Sequence, residues 1–166
     1  MLNRRALFER LEYVLQLARR QQSTFTIVYI DVDAFKTIND THGHAEGDRV
    51  LRTTAEVLAN NIRRADTVAR LGGDEFALLL VDTDRLGAEE LISKVRHQLK
   101  DALASAGLPA TCSIGAVTFH RPPATADDAI EAADALMYKV KAGGKNGTAF
   151  EEAGAAEKDV VRPRAG

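Results

Sequence analysis

Leu71-Gly-Gly-Asp-Glu-Phe-Ala-Leu-Leu-Leu80 decides how this chain is read. Two glycines make a turn, two acids follow, and an apolar run of strand length comes next. Gly72 and Gly73 lack Cβ atoms, so the backbone there can take a positive φ and lie against a ligand, while Asp74 and Glu75 offer hard oxygens to a divalent cation. An acidic hairpin tip is the plain alternative for this stretch alone.

A second acidic cluster weighs against that alternative. Residues 25–33 read Phe-Thr-Ile-Val-Tyr-Ile-Asp-Val-Asp, a buried-strand pattern that ends in two carboxylates one residue apart. Alternate side chains of a strand share a face, so Asp31 and Asp33 repel unless a cation or a donor lies between them. Mg²⁺ suits such a place, because it takes one or two carboxylates, keeps waters and lets substrate phosphates complete its octahedron. A pair of solvated loop acids is the alternative here.

Taken together, Asp31-Val-Asp-Ala-Phe-Lys-Thr-Ile-Asn-Asp40, His42-Gly-His-Ala-Glu-Gly-Asp48 and Arg70-Leu-Gly-Gly-Asp-Glu-Phe76 resemble a GGDEF-domain diguanylate cyclase. Asn3-Arg-Arg5, Ser113-Ile-Gly115, Ala133-Asp-Ala-Leu-Met-Tyr138 and Gly144-Lys-Asn146 agree in the same order. The resemblance implies condensation of two GTP molecules into cyclic di-GMP with loss of two pyrophosphates. It also implies a homodimer in which two opposed domains each hold one nucleotide.

The same resemblance assigns Asp31, the Val32 carbonyl, Asp74 and Glu75 to Mg²⁺ or Mn²⁺, with Asp74 and Glu75 as the catalytic acids and the choice of base between them left open. Asp33 is implied only for a two-metal state. Phosphates fall to the N–H groups of Ala34 and Phe35 and to Lys36, Lys141 and Lys145, beside the close backbone of Gly72 and Gly73. Lys145 stands where Arg is common, so it keeps a point charge and loses bidentate geometry. Asn39 and Asp48 match the guanine edge, and an adenine N1 would face Asp48 as acceptor against acceptor. His44 fits a structural bridge better than a catalyst. Arg63-Arg-Ala-Asp66 resembles the family's inhibitory Arg-x-x-Asp site for the cyclic product, with Arg70 as a third contact and Lys94 as a further candidate.

Composition is compatible with this reading and narrows it. The chain has 166 residues, 45% of them hydrophobic, a net charge of −2 and one cysteine, Cys112. That length supports one domain with a sizeable core. A near-neutral charge gives no electrostatic footprint for nucleic acid, and a lone cysteine makes no internal disulfide. With no apolar run of membrane-spanning length and no signal-like start, a cytoplasmic domain without membrane contact of its own is expected. Family members carry Asp-x-Leu-Thr-Gly-Leu before the Asn-Arg-Arg, and here Met1-Leu2 precedes it, so an excised domain that dimerises weakly by itself is expected.

The periodicity predicts the order of helices and strands of an α+β fold, and the resemblance implies that they build a mainly antiparallel sheet with a βαββαβ palm, as in nucleotidyl cyclases and ferredoxin-like folds. Helices are expected at 4–20, 45–62, after Asp84, and at 127–142. Strands are expected at 25–31, 67–70, 76–81, 110–119 and 148–150, with a loop over 39–44. Residues 1–150 form the domain in this reading. Residues 151–166 lack periodic apolar side chains and are expected to be a disordered tail.

Overall fold

Eight consecutive buried residues, Phe25–Val32, form the strand from which the rest of the molecule is arranged. The computed structural model describes residues 1–155. Its elements are β1 (Leu2–Asn3), α1 (Arg4–Gln21), β2 (Phe25–Val32), α2 (Phe35–His42), α3 (His44–Asn61), β3 (Thr67–Gly72), β4 (Glu75–Val81), α4 (Arg85–Ser105), β5 (Cys112–Phe119), α5 (Ala126–Ala142) and β6 (Thr148–Ala153).

The strands make one sheet in the order β1-β3-β4-β2-β5-β6. The three central pairings, β3/β4, β4/β2 and β2/β5, are antiparallel, and the two edge pairings, β1/β3 and β5/β6, are parallel. The expected βαββαβ palm therefore runs from β2 to β5, with β1 and β6 added at the edges.

Both faces of the sheet are covered, which explains why β2 is apolar throughout rather than alternating. Ile27 and Tyr29 pack with Ala77, Leu79, Val117 and Phe119 under α1 and α5. Val28, Ile30 and Val32 pack with Phe76, Leu78 and Leu80 against α3 and α4. Asp31 has the parity of Tyr29 and so emerges on the α5 face. Gly115 fixes how close α5 comes, because a Cβ there would collide with the Met137 nitrogen and the Ala133 oxygen. Any larger residue would push the helix, and with it the lysine at its end, off the strand ends.

Helix ends follow their side chains. Asn3 accepts from the Ala6 N–H at 2.9 Å, and Asp84, the expected cap of α4, accepts from the Gly87 N–H at 2.9 Å. Thr125 and Asp128 form a reciprocal capping box, which starts α5 at Ala126. Cys112 is buried, and burial, with the charges of Asp33 and Asp31 beside it, pushes its thiol up to about 12.

Three expectations need correction. The expected loop at 39–44 is mostly helix, since α2 spans Phe35–His42 and is pinned by the one buried residue Ile38. The two-residue β1 is not among the expected strands, being too short for any periodicity. Glu151, Glu152 and Ala153, expected in the tail, belong to β6 instead and pair with Val117, Thr118 and Phe119. Ladder hydrogen bonds to a buried neighbour hold that segment without an apolar face of its own. The rest of the expected tail, 156–166, lies outside the described residues.

Candidate active site

The end of β2 and the turn between β3 and β4 meet at one end of the sheet's central strands. Asp31 pairs directly with Glu75 across β2 and β4, and with Ser113 across β2 and β5. Directly opposed antiparallel residues have Cα atoms about 5 Å apart and side chains on the same face. The Val32 N–H donates to the Asp74 carbonyl at 3.1 Å, locking the two acidic segments together. Gly73, with φ of +47°, makes the tight turn that allows this.

Lys141, at the end of α5, reaches the Oδ1 of Asp31 at 2.8 Å. Asp31 is 4% exposed. Burial pushes its carboxyl up, the charges of Asp74 and Glu75 push further, and Lys141 opposes them without cancelling them. Burial pulls the Lys141 ammonium down, but Asp31, with Asp74 and Asp33, more than restores it and leaves it above its usual value. Lys141 thus lies near three carboxylates, Asp31, Asp74 and Asp33, and is ion-paired to the first.

Carboxylates so placed suit a divalent cation. Among the described residues no group of three or more His, Cys, Asp or Glu side chains is arranged to hold a metal ion. Mg²⁺ needs none, because it binds through one or two carboxylates and completes its shell with water and phosphate oxygens. Asp31 and Glu75, opposed across β2 and β4, are the two carboxylates that could do so, and Asp74 precedes Glu75 in the chain.

Asp33, two residues on, has a different environment. It accepts from the Ser113 hydroxyl at 2.6 Å, the Thr111 hydroxyl at 2.7 Å and the Asn146 N–H at 2.9 Å. The repulsion expected between Asp31 and Asp33 is thus resolved by separate partners, an ammonium for one and three neutral donors for the other. Sequence alone assigns none of those donors to Asp33. Ser113, a polar residue inside an apolar strand, is the available signal.

The segment after β2 leaves donors open. Ala34 takes a left-handed φ of +54° and turns directly into α2, whose N-terminus no side chain caps. The first N–H groups of α2, beginning at Phe35 with Lys36 next, therefore lack intrahelical partners, an arrangement that accepts anions. Lys145 and Asn146 sit in consecutive left-handed conformations, φ +64° and +44°. Lys145 is exposed, on the turn that Asp33 holds.

Asn39 on α2 lies against α3 at Gly47, where a Cβ would collide with the Asn39 Oδ1. That oxygen is buried and has no hydrogen-bond partner among the described residues. Asp48, the next residue of α3, is exposed, as is His44. A buried amide oxygen without a partner is open to a donor, and the exposed Asp48 follows Gly47 in α3. The role of Gly47 is not legible from sequence spacing.

Arg63 and Asp66 are far along β3 from this end and are closed on each other. The Arg63 Nε meets the Asp66 Oδ2 at 3.1 Å, and its terminal nitrogen also reaches the Val81 carbonyl at 3.0 Å and the Thr83 hydroxyl at 2.7 Å. Asp66 accepts in addition from the Val81 N–H at 3.1 Å, leaving its side chain 2% exposed against 62% for Arg63. Both residues line a cavity of about 710 Å³ with Lys94, Thr83 and Asp84. Arg70 stands apart from them, with its guanidinium on the Gly73 carbonyl at 2.6 and 3.0 Å.

An α+β palm whose two central strand ends join acids across a glycine turn, with an uncapped helix start beside them, defines the nucleotidyl cyclase class. The profile of the family described as "Diguanylate cyclase, GGDEF domain" matches residues 1–147. This chain belongs to the GGDEF family.

Relatives agree. The chain is 36% identical over 152 residues to the bifunctional diguanylate cyclase/cyclic di-GMP phosphodiesterase MucR of Pseudomonas aeruginosa, covering 90% of this chain and 22% of that protein. It is 35% identical over 137 residues to diguanylate cyclase A of Treponema denticola, covering 81% of this chain and 37% of that one. The crystal structure of the GGDEF domain of DgcB from Caulobacter crescentus in complex with c-di-GMP superposes with a TM-score of 0.79 at 26% identity, covering 89% of this chain and 87% of that one. The chain thus spans well under half the length of these two curated relatives. No helix among the described residues is long and apolar enough to cross a membrane.

Proposed function

We propose that this domain is an active diguanylate cyclase, joining two GTP molecules into cyclic di-GMP. The observation that carries the reading is the direct pairing of Asp31 with Glu75 across two strands, beside the ion pair of Asp31 with Lys141. In each half-reaction the 3′-oxygen of one GTP bonds to the α-phosphorus of the other, the bond from that phosphorus to the bridging oxygen breaks, and pyrophosphate leaves. The hydroxyl proton goes to a carboxylate, Asp74 or Glu75. Two such steps between two facing domains close the ring, so a homodimer is the working unit.

Asp31 and Glu75, with Asp74 and the Val32 carbonyl, would hold Mg²⁺ or Mn²⁺. Such an ion, when bound, lowers the pKa of the hydroxyl and offsets charge on the phosphate. The chain's own groups do the remaining work. The N–H groups of Ala34 and Phe35 cradle phosphate oxygens, and Lys36 and Lys145 neutralise the outer ones. Lys141 shares its charge between Asp31 and the phosphates. Gly72 and Gly73 let the nucleotide lie close to the turn. Asp48 accepts from guanine N1–H and the exocyclic amine, while Asn39 serves the remaining edge. GTP should therefore be turned over in preference to ATP, and equal turnover of ATP would contradict that assignment.

Product feedback belongs to the Arg63 cavity. The exposed guanidinium of Arg63 is a phosphate or guanine contact, Lys94 adds charge, and Asp66 as it stands orients Arg63. Arg70 would act at a distance from them, on the turn side. The same cavity supports the second reading, a regulatory domain that binds cyclic di-GMP with little catalysis.

Incubating concentrated protein with GTP and Mg²⁺, followed by chromatography, separates the two. Cyclic di-GMP formation that is lost in Glu75→Ala is expected. Cyclic di-GMP binding with no product from GTP would leave only the regulatory reading.

A further inference from the structure

Asp33 carries more hydrogen bonds than the metal-facing Asp31, and they tie three distant segments together. Its own N–H donates to the Thr111 carbonyl at 2.8 Å, and its carboxylate takes the Thr111 and Ser113 hydroxyls and the Asn146 N–H. The last of these matters most, because it comes from the turn that carries Lys145.

That turn is costly to hold. Lys145 and Asn146 are consecutive non-glycine residues in left-handed conformations. Two such residues in succession are disfavoured, the lysine most, so the turn persists only where its surroundings impose it. The surroundings are identifiable: Asp33 accepts from the Asn146 N–H, Arg96 donates to the Asn146 carbonyl at 3.1 Å, and the Lys145 N–H returns to the Val140 carbonyl at 3.1 Å. Among them Asp33 is the buried, charged partner, 4% exposed, on the same strand end as Asp31. A charge-assisted bond to a backbone N–H is the strong kind.

We infer that Asp33 is a positioning residue for Lys145: its carboxylate holds the Lys145-Asn146 turn in its left-handed form and so aims the ammonium at the outer phosphates of the nucleotide. This rests on the cyclase reading above. Asp33 does not then serve as a second-metal ligand. Thr111 and Ser113 act with it by orienting the carboxylate, which gives residues of β5 and the loop before it an indirect part in phosphate binding.

Two variants separate this role from a ligand role and from a merely structural one. Thr111→Val removes one donor to Asp33 and leaves the carboxylate in place; Asp33→Asn removes the charge. Each should raise KM for GTP by about tenfold, with kcat changed much less and the Mg²⁺ concentration for half-maximal activity unchanged. Lys145→Ala should raise KM similarly. Combined with Lys145→Ala, Thr111→Val should add nothing, because the turn then has no ammonium to aim. Thermal melts check that Thr111→Val stays folded if Asp33→Asn does not.

A shift in the Mg²⁺ requirement of Asp33→Asn, or full additivity of Thr111→Val with Lys145→Ala, would overturn the inference. So would an unchanged KM in Thr111→Val. Calorimetry of the unaltered chain with a non-hydrolysable GTP analogue and Mg²⁺ distinguishes the two levels. No binding at all sinks the cyclase reading and this one with it, whereas binding that neither variant weakens sinks the Asp33 role alone.

Discussion

The two ends of the β3-β4 hairpin carry similar residues and opposite electrostatics. At the turn, Asp74 and Glu75 adjoin Asp31, whose ion pair is with Lys141. At the open end, Asp66 has its charge met by Arg63 and its second oxygen used by the Val81 N–H. The first end gathers carboxylates around a single ion pair, Lys141 with Asp31, while at the second end both oxygens of Asp66 are met by donors of the fold. The comparison teaches that an acid's partners, more than its presence in a motif, tell whether it works on a ligand or on the fold.

Glu75→Ala gives the largest contrast. Cyclic di-GMP formation should fall by a factor on the order of a thousand or more, while the melting temperature holds or rises because a like charge leaves the cluster. A marked loss of stability would mean that Glu75 supports the fold as Asp66 does. At the other end, Arg63→Ala should weaken cyclic di-GMP binding about a hundredfold in calorimetry and spare GTP turnover. Unchanged affinity would remove the Arg63 cavity from regulation.

Asp66→Ala sharpens the contrast from the structural side. It leaves the Val81 N–H without its carboxylate and Arg63 without its ion pair, and should cost about 2 kcal/mol in urea unfolding. A neutral effect would show that the closed end is not held by this pair. Gly47→Ala is the mildest: the new methyl meets the Asn39 amide, a side-chain end that can swing away, so stability changes little. GTP affinity should still drop about tenfold, read by calorimetry with a non-hydrolysable analogue, because the base-reading amide is displaced.

Much of this arrangement is legible in the sequence, and the limits have physical reasons. β2 announces itself by its unbroken apolar run, and its end by Asp31. The α4 start is legible in Asp84 and the hairpin in its two glycines. α2 hides because Thr37, Asn39, Asp40 and Thr41 are poor helix formers and only Ile38 is buried, so tertiary contact with α3 decides it. β6 extends past Phe150 because β5 offers a ladder, which leaves no mark on the residues 151–153 themselves. Asp33 and Asp31 look equivalent as Asp-x-Asp; the donors that separate them lie 78 to 113 residues further along the chain. Likewise the mutual closure of Arg63 and Asp66 depends on Val81 and Thr83, which local spacing does not reveal.

The central claim is that acids from β2 and β4 share one ion beside the nucleotide. Crystals grown with Mn²⁺ and a non-hydrolysable GTP analogue, measured for anomalous scattering, test it directly. The account predicts a peak within coordination distance of both Asp31 and Glu75, touching phosphate oxygens and leaving Asp33 on its hydroxyl donors. A peak on Asp33 without Glu75, or a nucleotide bound with no ion between those strands, would contradict it.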